Sequence, residues 1–378
     1  MYDDARARGQ AEAVRGAFAE HEKRMGYAFN ASFALPKILW FKEELPRVYE
    51  KAAFFLHQAD YMVGRLCGFF GVTDYSNALK AGYDLLSMEW PDGLISGIGL
   101  SAGKLPKVLP PGEAFASVSG EAARALGLSE RTAVAVGSTD GYSSALAAGT
   151  VREGDWASVV GSTLVLKGVT GRLLTDPNGS AYSHRLPTGD WMLGGASNVG
   201  GAILNGFAAG GFRAMDEAAG KAIPTGVRCY PLTGRGERFP FVDGKAEGFY
   251  FGDISGGRLY PAIMEGIGFV ERLSYERMAA MGARVGDVVS SAGGACKSDV
   301  WLRIRASILN KAIKVPLHID AAMGSAILSA MAHFGGLGEA ADSMVRVRKT
   351  VEPDGALVGG YGELYGRFRE DCRKAYGI

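Results

Sequence analysis

The residue pattern predicts an α/β fold in two domains. Three observations carry it: a length of 378 residues, strands alternating with helices after residue 132, and 55 glycines. The length suits two ordinary domains or one large one. The glycines are roughly twice the usual share of ~7%. They cluster beside apolar runs, as tight strand-to-helix turns require where a backbone must approach a phosphate.

In chain order, residues 4–24 hold Ala and charged residues with few breakers and predict helix. Pro36 to Ala52 places Ile38, Leu39, Phe41, Leu45 and Val48 at near-helical spacing. Residues 53–72 form a third apolar stretch, with Asp60 and Arg65 inside it. Between 84 and 112, Trp90-Pro91-Asp92-Gly93 and then Pro106, Pro110 and Pro111 predict loop. From Thr132 the character changes. Ala133–Gly137 reads as a short buried strand and Gly141–Ala148 as the helix after it. Trp156–Thr170 reads as two strands joined at Gly161-Ser162-Thr163. Further strand-turn-helix units follow at Trp191–Gly195 into Gly200–Phe207, Val288–Ser291 into Val300–Asn310, and Ile313–Ile319 into Gly324–His333. That alternation is the α/β signal. The shift near 150–156 places a boundary between domains 1–155 and 156–378.

Composition excludes several classes. Lys plus Arg is 41 and Asp plus Glu is 40, a net charge of +1, where a nucleic-acid-binding surface would show an excess of base. No window approaches the roughly eighteen apolar residues of a membrane span, and the polar first 25 residues hold no secretory apolar segment. Cys67, Cys229, Cys296 and Cys372 form no Cys-x-x-Cys pair, so a reducing cytoplasm is the simplest setting.

Gly99-Leu100-Ser101-Ala102-Gly103 has the letters of a nucleophile elbow, but it lacks the strand before and the helix after. Lys104, Lys221 and Lys245 follow glycines without the Ser or Thr of a P-loop. His21, His57, His184, His318 and His333 show no metal-ligand spacing, so no metal-ligating residue is assigned. Three glycine turns remain, each after a short apolar strand. Gly137-Ser138-Thr139-Asp140-Gly141 sets an Asp at a strand-to-helix junction, where the structural role is a helix N-cap. Gly161-Ser162-Thr163 is a hairpin turn unless a phosphate sits on its amides. Ala292-Gly293-Gly294-Ala295-Cys296-Lys297 is a strand-to-helix turn, with Trp301 beyond it.

The order and spacing of these turns resemble the FGGY carbohydrate kinase family, across essentially the entire chain. Lys37–Glu44 is similar to that family's first signature, with Ala34 where it usually has Pro, Ser or Thr. Glu265-Gly266-Ile267 and Ala322–Ala326 are similar to family helices, and Gly293–Lys297 to its adenosine motif, with Ala295 and Cys296 as departures. Gly161–Lys167, Tyr182-Ser183-His184, Gly194–Gly201 and Arg235–Pro240 resemble the plant and cyanobacterial D-ribulose kinase group.

The resemblance implies an actin-like, ribonuclease-H-like ATPase fold in two domains, the last helix packing back on the first. It implies ATP-dependent phosphorylation of a sugar hydroxyl, a ketopentose such as D-ribulose or D-xylulose. Asp140 would be the general base. Gly161, Ser162, Thr163, Gly293, Gly294 and Lys297 would hold ATP, and Asp4 and Arg6 would line the sugar pocket with Asp140. Magnesium would arrive with the ATP, in a cytoplasmic monomer or homodimer binding neither nucleic acid nor membrane. One departure stands out. The family opens with Asp-x-Gly-Thr or Asp-x-Gly-Ser, and no Asp here is followed two places later by Gly. Met1–Arg6 resembles a segment the family reaches only later, so an incomplete first domain and no turnover by these residues are expected. The alternatives are a nucleotide- or sugar-binding protein derived from such a kinase, and an actin-like ATPase. The Lys37–Glu44 and Arg235–Pro240 strings speak against the last.

Overall fold

The computed structural model describes residues 4–378, with 208–210 by backbone alone. Five helices open it: α1 (Arg8–Ala17), α2 (Ala19–Met25), α3 (Ala34–Glu44), α4 (Pro46–Lys51) and α5 (Gln58–Cys67). α3 buries Leu35, Ile38 and Leu39, an i, i+3, i+4 stripe. The helix expected over Pro36–Ala52 breaks at Leu45, because the residue before a proline is disfavoured in helical conformation, and Pro46 then starts α4. α5 is capped where the His57 N–H donates to Asp60 at 2.8 Å. β1 (Val72–Asp74), α6 (Tyr75–Ala78), α7 (Asp92–Gly97) and β2 (Lys107–Leu109) follow, so the stretch read as loop holds a short helix and a strand. β3 (Ala114–Ser117), α8 (Gly120–Leu126), β4 (Ala133–Ala135) and α9 (Asp140–Ala147) complete this half. β1 pairs with β2 in parallel, and β3 with β4 antiparallel. Phe18, Tyr27, Phe29, Leu35, Leu39 and Leu79 lie in the core beneath the helices.

The second half continues with β5 (Trp156–Val160), β6 (Leu164–Thr170), β7 (Ala181–Arg185), β8 (Trp191–Ser197), α10 (Phe212–Ala222), β9 (Arg228–Tyr230) and β10 (Phe249–Phe251). It ends with α11 (Leu259–Ala280), β11 (Val288–Ala292), α12 (Asp299–Leu309), β12 (Ala312–Pro316), α13 (Ala321–Phe334), α14 (Leu337–Met344), β13 (Val347–Val351) and α15 (Gly355–Tyr376). One seven-stranded sheet organises it, in the order β13-β12-β11-β5-β6-β8-β7. The β5–β6, β6–β8 and β8–β7 pairs are antiparallel, while β11 joins β5 and β12 joins β11 in parallel. Trp156 stands opposite Gly168 and lies across it; a Cβ on that glycine would meet the indole at 2.1 Å.

A buried arginine locks the layer behind the sheet. Arg305 on α12 donates to Glu271 on α11 at 2.7 and 2.8 Å, to Ser158 on β5 at 2.6 Å and to Ser291 on β11 at 2.8 Å. All four are fully buried, and each charge or hydroxyl is answered by another, which is how such groups persist in an interior. The network fixes β5 and β11, the strands feeding two of the glycine turns. The last helix, α15, lays Tyr361, Tyr365 and Phe368 against α11 and α12. Its packing is therefore on the second half, in place of the expected return to the first.

α9 packs on α13, and with Val169 and Met192 of the sheet they form a third core. At the crossing the helices touch backbone to backbone: a Cβ on Gly324 would stand 1.8 Å from the Ser143 carbonyl oxygen. Cys229, Cys296 and Cys372 are buried and Cys67, at the end of α5, is partly exposed; none forms a disulfide.

Glu265 on α11 is buried, and its carboxylate accepts from the Thr225 N–H at 3.0 Å, the Tyr361 hydroxyl at 2.9 Å and the Thr225 hydroxyl. Burial outweighs these donors and pushes its pKa from 4.5 up to about 7. The folded chain then binds a proton that the unfolded chain releases, so stability falls as pH rises through this range. The loss is on the order of 3 kcal/mol, at about 1.4 per pKa unit. Thermal melting should drop between about pH 5 and about 8, and Glu265→Gln should remove most of that drop. An undiminished drop in the variant would assign it to other groups.

Candidate active site

Asp140 is the first residue of α9, with Thr139 in the cap position, so it is not the N-cap that its spacing suggested. Its side chain is exposed and accepts from the Gly141 N–H at 2.7 Å. The loop before it is tied on two sides. The Thr139 N–H donates to Ser76 Oγ at 2.9 Å, and Ser76 in turn donates to the buried Asp74 carboxylate at 2.6 Å. Asp74 also caps α6 through the Ser76 and Asn77 N–H groups, and accepts from the Asn77 side-chain amide at 2.6 Å. On the other side, Ser138 Oγ lies 2.6 Å from Ser143 Oγ, which lies 3.2 Å from Ser325 Oγ on α13. Neither Asp74 nor the serine chain was singled out from the sequence. Asp-Tyr-Ser-Asn has the letters of a cap, but nothing in it announces a bond to residue 139.

The other two turns meet through their main chains. Gly293 has φ +90, and a Cβ there would lie 2.5 Å from the Val160 carbonyl oxygen, at the start of the Gly161–Thr163 turn. That turn is closed by the Gly161 N–H to the Thr163 carbonyl at 3.0 Å, and the Gly201 N–H donates to the Gly161 carbonyl at 2.7 Å. Gly200 fits only because it lacks a side chain, since a Cβ would stand 2.4 Å from the Ser162 oxygen. These glycines let three loops share one backbone surface, the kind of concavity that receives phosphates. Gly294 differs: its nearest neighbour to an added Cβ is 4.0 Å away and it is exposed, so it opens outward. Lys297 is exposed on the short 3-10 segment that follows.

Gly294→Val should therefore leave the fold intact and fill the space where a nucleotide would lie. Calorimetric ADP binding by these 378 residues should weaken by about tenfold or more, because only the ligand's approach is lost. Unchanged affinity would remove Gly294 from the nucleotide cradle.

Asp4 and Arg6 pair with one another at 2.9 Å, and Arg6 lies over the Trp40 ring at 5.1 Å. The Arg6 N–H and guanidinium, with Lys37 near, hold the Asp4 carboxyl below its usual range. Neither residue hydrogen-bonds to Asp140. Met1, Tyr2 and Asp3 of the opening string lie outside the described residues. Lys167 and His184, near the first turn of α9, have no role in the sequence reading. Lys167 on β6 brings its Cε to 3.5 Å from the position of a Cβ on Gly141, and His184 on β7 is buried. Burial, then Lys167 and Lys80, keep the His184 imidazole neutral. Lys167 stands four residues past Thr163, about 13 Å along an extended strand.

Among the described residues no three His, Cys, Asp or Glu side chains converge on one point, so they do not by themselves complete a metal shell. A cavity of about 270 Å³ lined by Ala148, Val151, Asp155, Lys314 and Asp342 lies at the far end of α9, away from these turns.

Comparison with known proteins adds the following. Residues 2–147 match the FGGY family of carbohydrate kinases, N-terminal domain, and residues 158–333 match its C-terminal domain. The xylulose kinase of Bacillus subtilis (strain 168) is 30% identical over 358 residues, covering 89% of this chain and 70% of its own length. The gluconokinase of the same organism is 25% identical over 357 residues, covering 86% of this chain and 68% of its own length. The crystal structure of xylulose kinase from Rhodospirillum rubrum superposes with a TM-score of 0.85 at 24% identity, over 99% of this chain and 79% of that one. Plasmodium falciparum glycerol kinase with ADP gives a TM-score of 0.81 at 18% identity, over 96% and 77%. These likenesses establish the two-domain actin-like, ribonuclease-H-like fold.

Proposed function

The chain belongs to the FGGY family of carbohydrate kinases, and from that premise we propose ATP-dependent phosphorylation of a ketopentose, D-ribulose or D-xylulose. In this reading Asp140 takes the proton of the attacking hydroxyl. Gly161, Ser162, Thr163, Gly293 and Gly294 hold the nucleotide, with Lys297 along it, and Asp4 and Arg6 serve the sugar. The observation that carries the reading is the shared backbone surface of the Gly161 and Gly293 turns, opening outward at Gly294. The higher identity to a xylulose kinase than to a gluconokinase favours a ketose. The strings Gly161–Lys167 and Arg235–Pro240 favour the D-ribulose kinase group. We place the boundary between the domains at 155/156, in the gap between the two matched segments, and the four unpaired cysteines suit a reducing cytoplasm.

Phosphoryl transfer depends on positioning and on neutralising charge at the transferred group. When bound with ATP, magnesium would supply part of that neutralisation. Asp140 contributes the proton acceptor, held in place through Thr139 and Ser143. The main-chain amides of the two turns contribute fixed donors. The 378 residues contain no Asp-x-Gly, and are expected to show no turnover without such a hairpin. The test is coupled ADP release over ketopentoses, polyols and glycerol, by these residues and by a form preceded by an Asp-x-Gly-Thr hairpin. Release with ketopentoses by the second form alone supports the reading. Equal release by both would mean that another residue carries the metal, and a preference for a polyol would overturn the ketose assignment.

A further inference from the structure

Lys167 is a cation close to the start of α9 that the proposed chemistry has not used. β6 presents it opposite Gly194 of β8, and Gly194 stands opposite Tyr182 of β7. Both neighbouring positions are glycines, and both leave room for this side chain. A Cβ on Gly141 would lie 3.5 Å from Lys167 Cε, and one on Gly194 would lie 3.3 Å from its Cγ and 3.6 Å from its Nζ. The ammonium group thus sits between the sheet and the first turn of α9, beside Asp140. It forms no hydrogen bond or ion pair among the described residues.

Lys80, almost fully buried on the 3-10 turn after α6, repels Lys167, while Asp140 is the carboxylate that attracts it. Burial first, then Lys80, lower the Lys167 pKa to about 8 against the pull of Asp140. His184, 2% exposed, lies within the field of both lysines, and its Nδ1 has no hydrogen-bond partner. Lys167 therefore feels a second ammonium group and the Asp140 carboxylate, with the unpartnered His184 Nδ1 in the same field. A partly desolvated cation of this kind favours an incoming anion.

We propose that Lys167 binds the phosphoryl group of the phosphorylated sugar, so that the pocket beside Asp140 is an anion site as well as a hydroxyl site. This rests on Asp140 being the acceptor-side base. The hydroxyl oxygen that gives its proton to Asp140 bonds to the γ-phosphoryl group of ATP as that group's bond to the departing ADP breaks, so the new phosphate ester forms within reach of Lys167. The lysine donates hydrogen bonds to the ester's non-bridging oxygens and forms no covalent bond. The Gly161 turn, at the start of β6, holds the nucleotide that delivers the phosphoryl group, and Lys167 serves that group once it is on the sugar.

The test is calorimetric titration of the full chain with D-ribulose 5-phosphate and with D-ribulose, which needs no turnover. The ester should bind at least about tenfold more tightly than the free sugar, as a charge-assisted contact adds to hydroxyl contacts. Lys167→Met should erase that preference with little change in affinity for the free sugar, and Lys167→Arg should keep it. Asp140→Asn should tighten the ester, because a repelling carboxylate is gone. Ester affinity unchanged in Lys167→Met, or no ester preference in the parent, would overturn the proposal. An effect of Lys167→Met without one of Asp140→Asn would uphold the anion site and remove Asp140 from it. The reverse pattern would keep Asp140 and discard Lys167.

Discussion

Asp140→Asn should lower kcat by about 10²- to 10⁴-fold, the usual cost of losing a general base, in a form of the enzyme carrying the Asp-x-Gly-Thr hairpin. Nucleotide affinity should stay nearly constant, because the two turns that share a backbone surface are closed without any bond to Asp140. The variant keeps the loop as well. Its anchors are the Thr139 N–H on Ser76 and the Ser138–Ser143 contact, and neither uses the 140 side chain. A fall in kcat with unchanged KM for ATP and an unchanged melting temperature is the expected result. If more than a tenth of the activity remained, Asp140 would be a helix-start residue and another group would take the proton.

Gly324→Ala carries the largest expected cost in stability. An added methyl would stand 1.8 Å from the Ser143 carbonyl oxygen, and main chain cannot swing aside as a flexible side chain can. Either α13 or α9 must shift, opening the core that both share with Val169 and Met192. Overpacking in a tight core costs typically 1–3 kcal/mol and sometimes more, so about 3 kcal/mol or more is expected here. The denaturant midpoint reports it directly. The displacement should also separate Ser143 from Ser325 and loosen the Asp140 loop, so in the form carrying the Asp-x-Gly-Thr hairpin residual activity should fall further than the folded fraction does. A midpoint equal to the parent's would mean that the helices slide apart at little cost.

The features that the sequence made legible were local. The strands at 156–170, the turn at 161–163, and the α9 and α13 regions could be read from apolar runs and glycines. That Gly293 rests on the Val160 carbonyl could not, because a glycine's spacing says nothing about which distant backbone it touches. The anchors of the site escaped for the same reason. Ser76 and Thr139 are 63 residues apart and Arg305 and Ser158 are 147 apart. Each is an ordinary residue until the fold juxtaposes them. The break between α3 and α4 was visible in Pro46 and was overridden by the apolar spacing on either side. Lys167 sat inside a string noted only for its resemblance. Its significance depends on two glycines, Gly141 and Gly194, that the sheet register and the start of α9 bring to it. The glycine string 194–201 likewise acquires separate meanings, with Gly194 making room for a lysine and Gly200 and Gly201 receiving the Gly161–Thr163 turn.

The unequal burial of the four cysteines gives the chain an internal clock. A maleimide or disulfide reagent needs an accessible thiolate. Cys67 offers access at the end of α5, whereas burial pushes the Cys372 thiol up to about 12 and the Cys229 thiol higher still. Modification therefore proceeds in a graded order, one equivalent from the native fold and the remaining three only as the second half opens. The lag between the first equivalent and the rest times the opening of that half around α11 and α15, with no probe having to be engineered in.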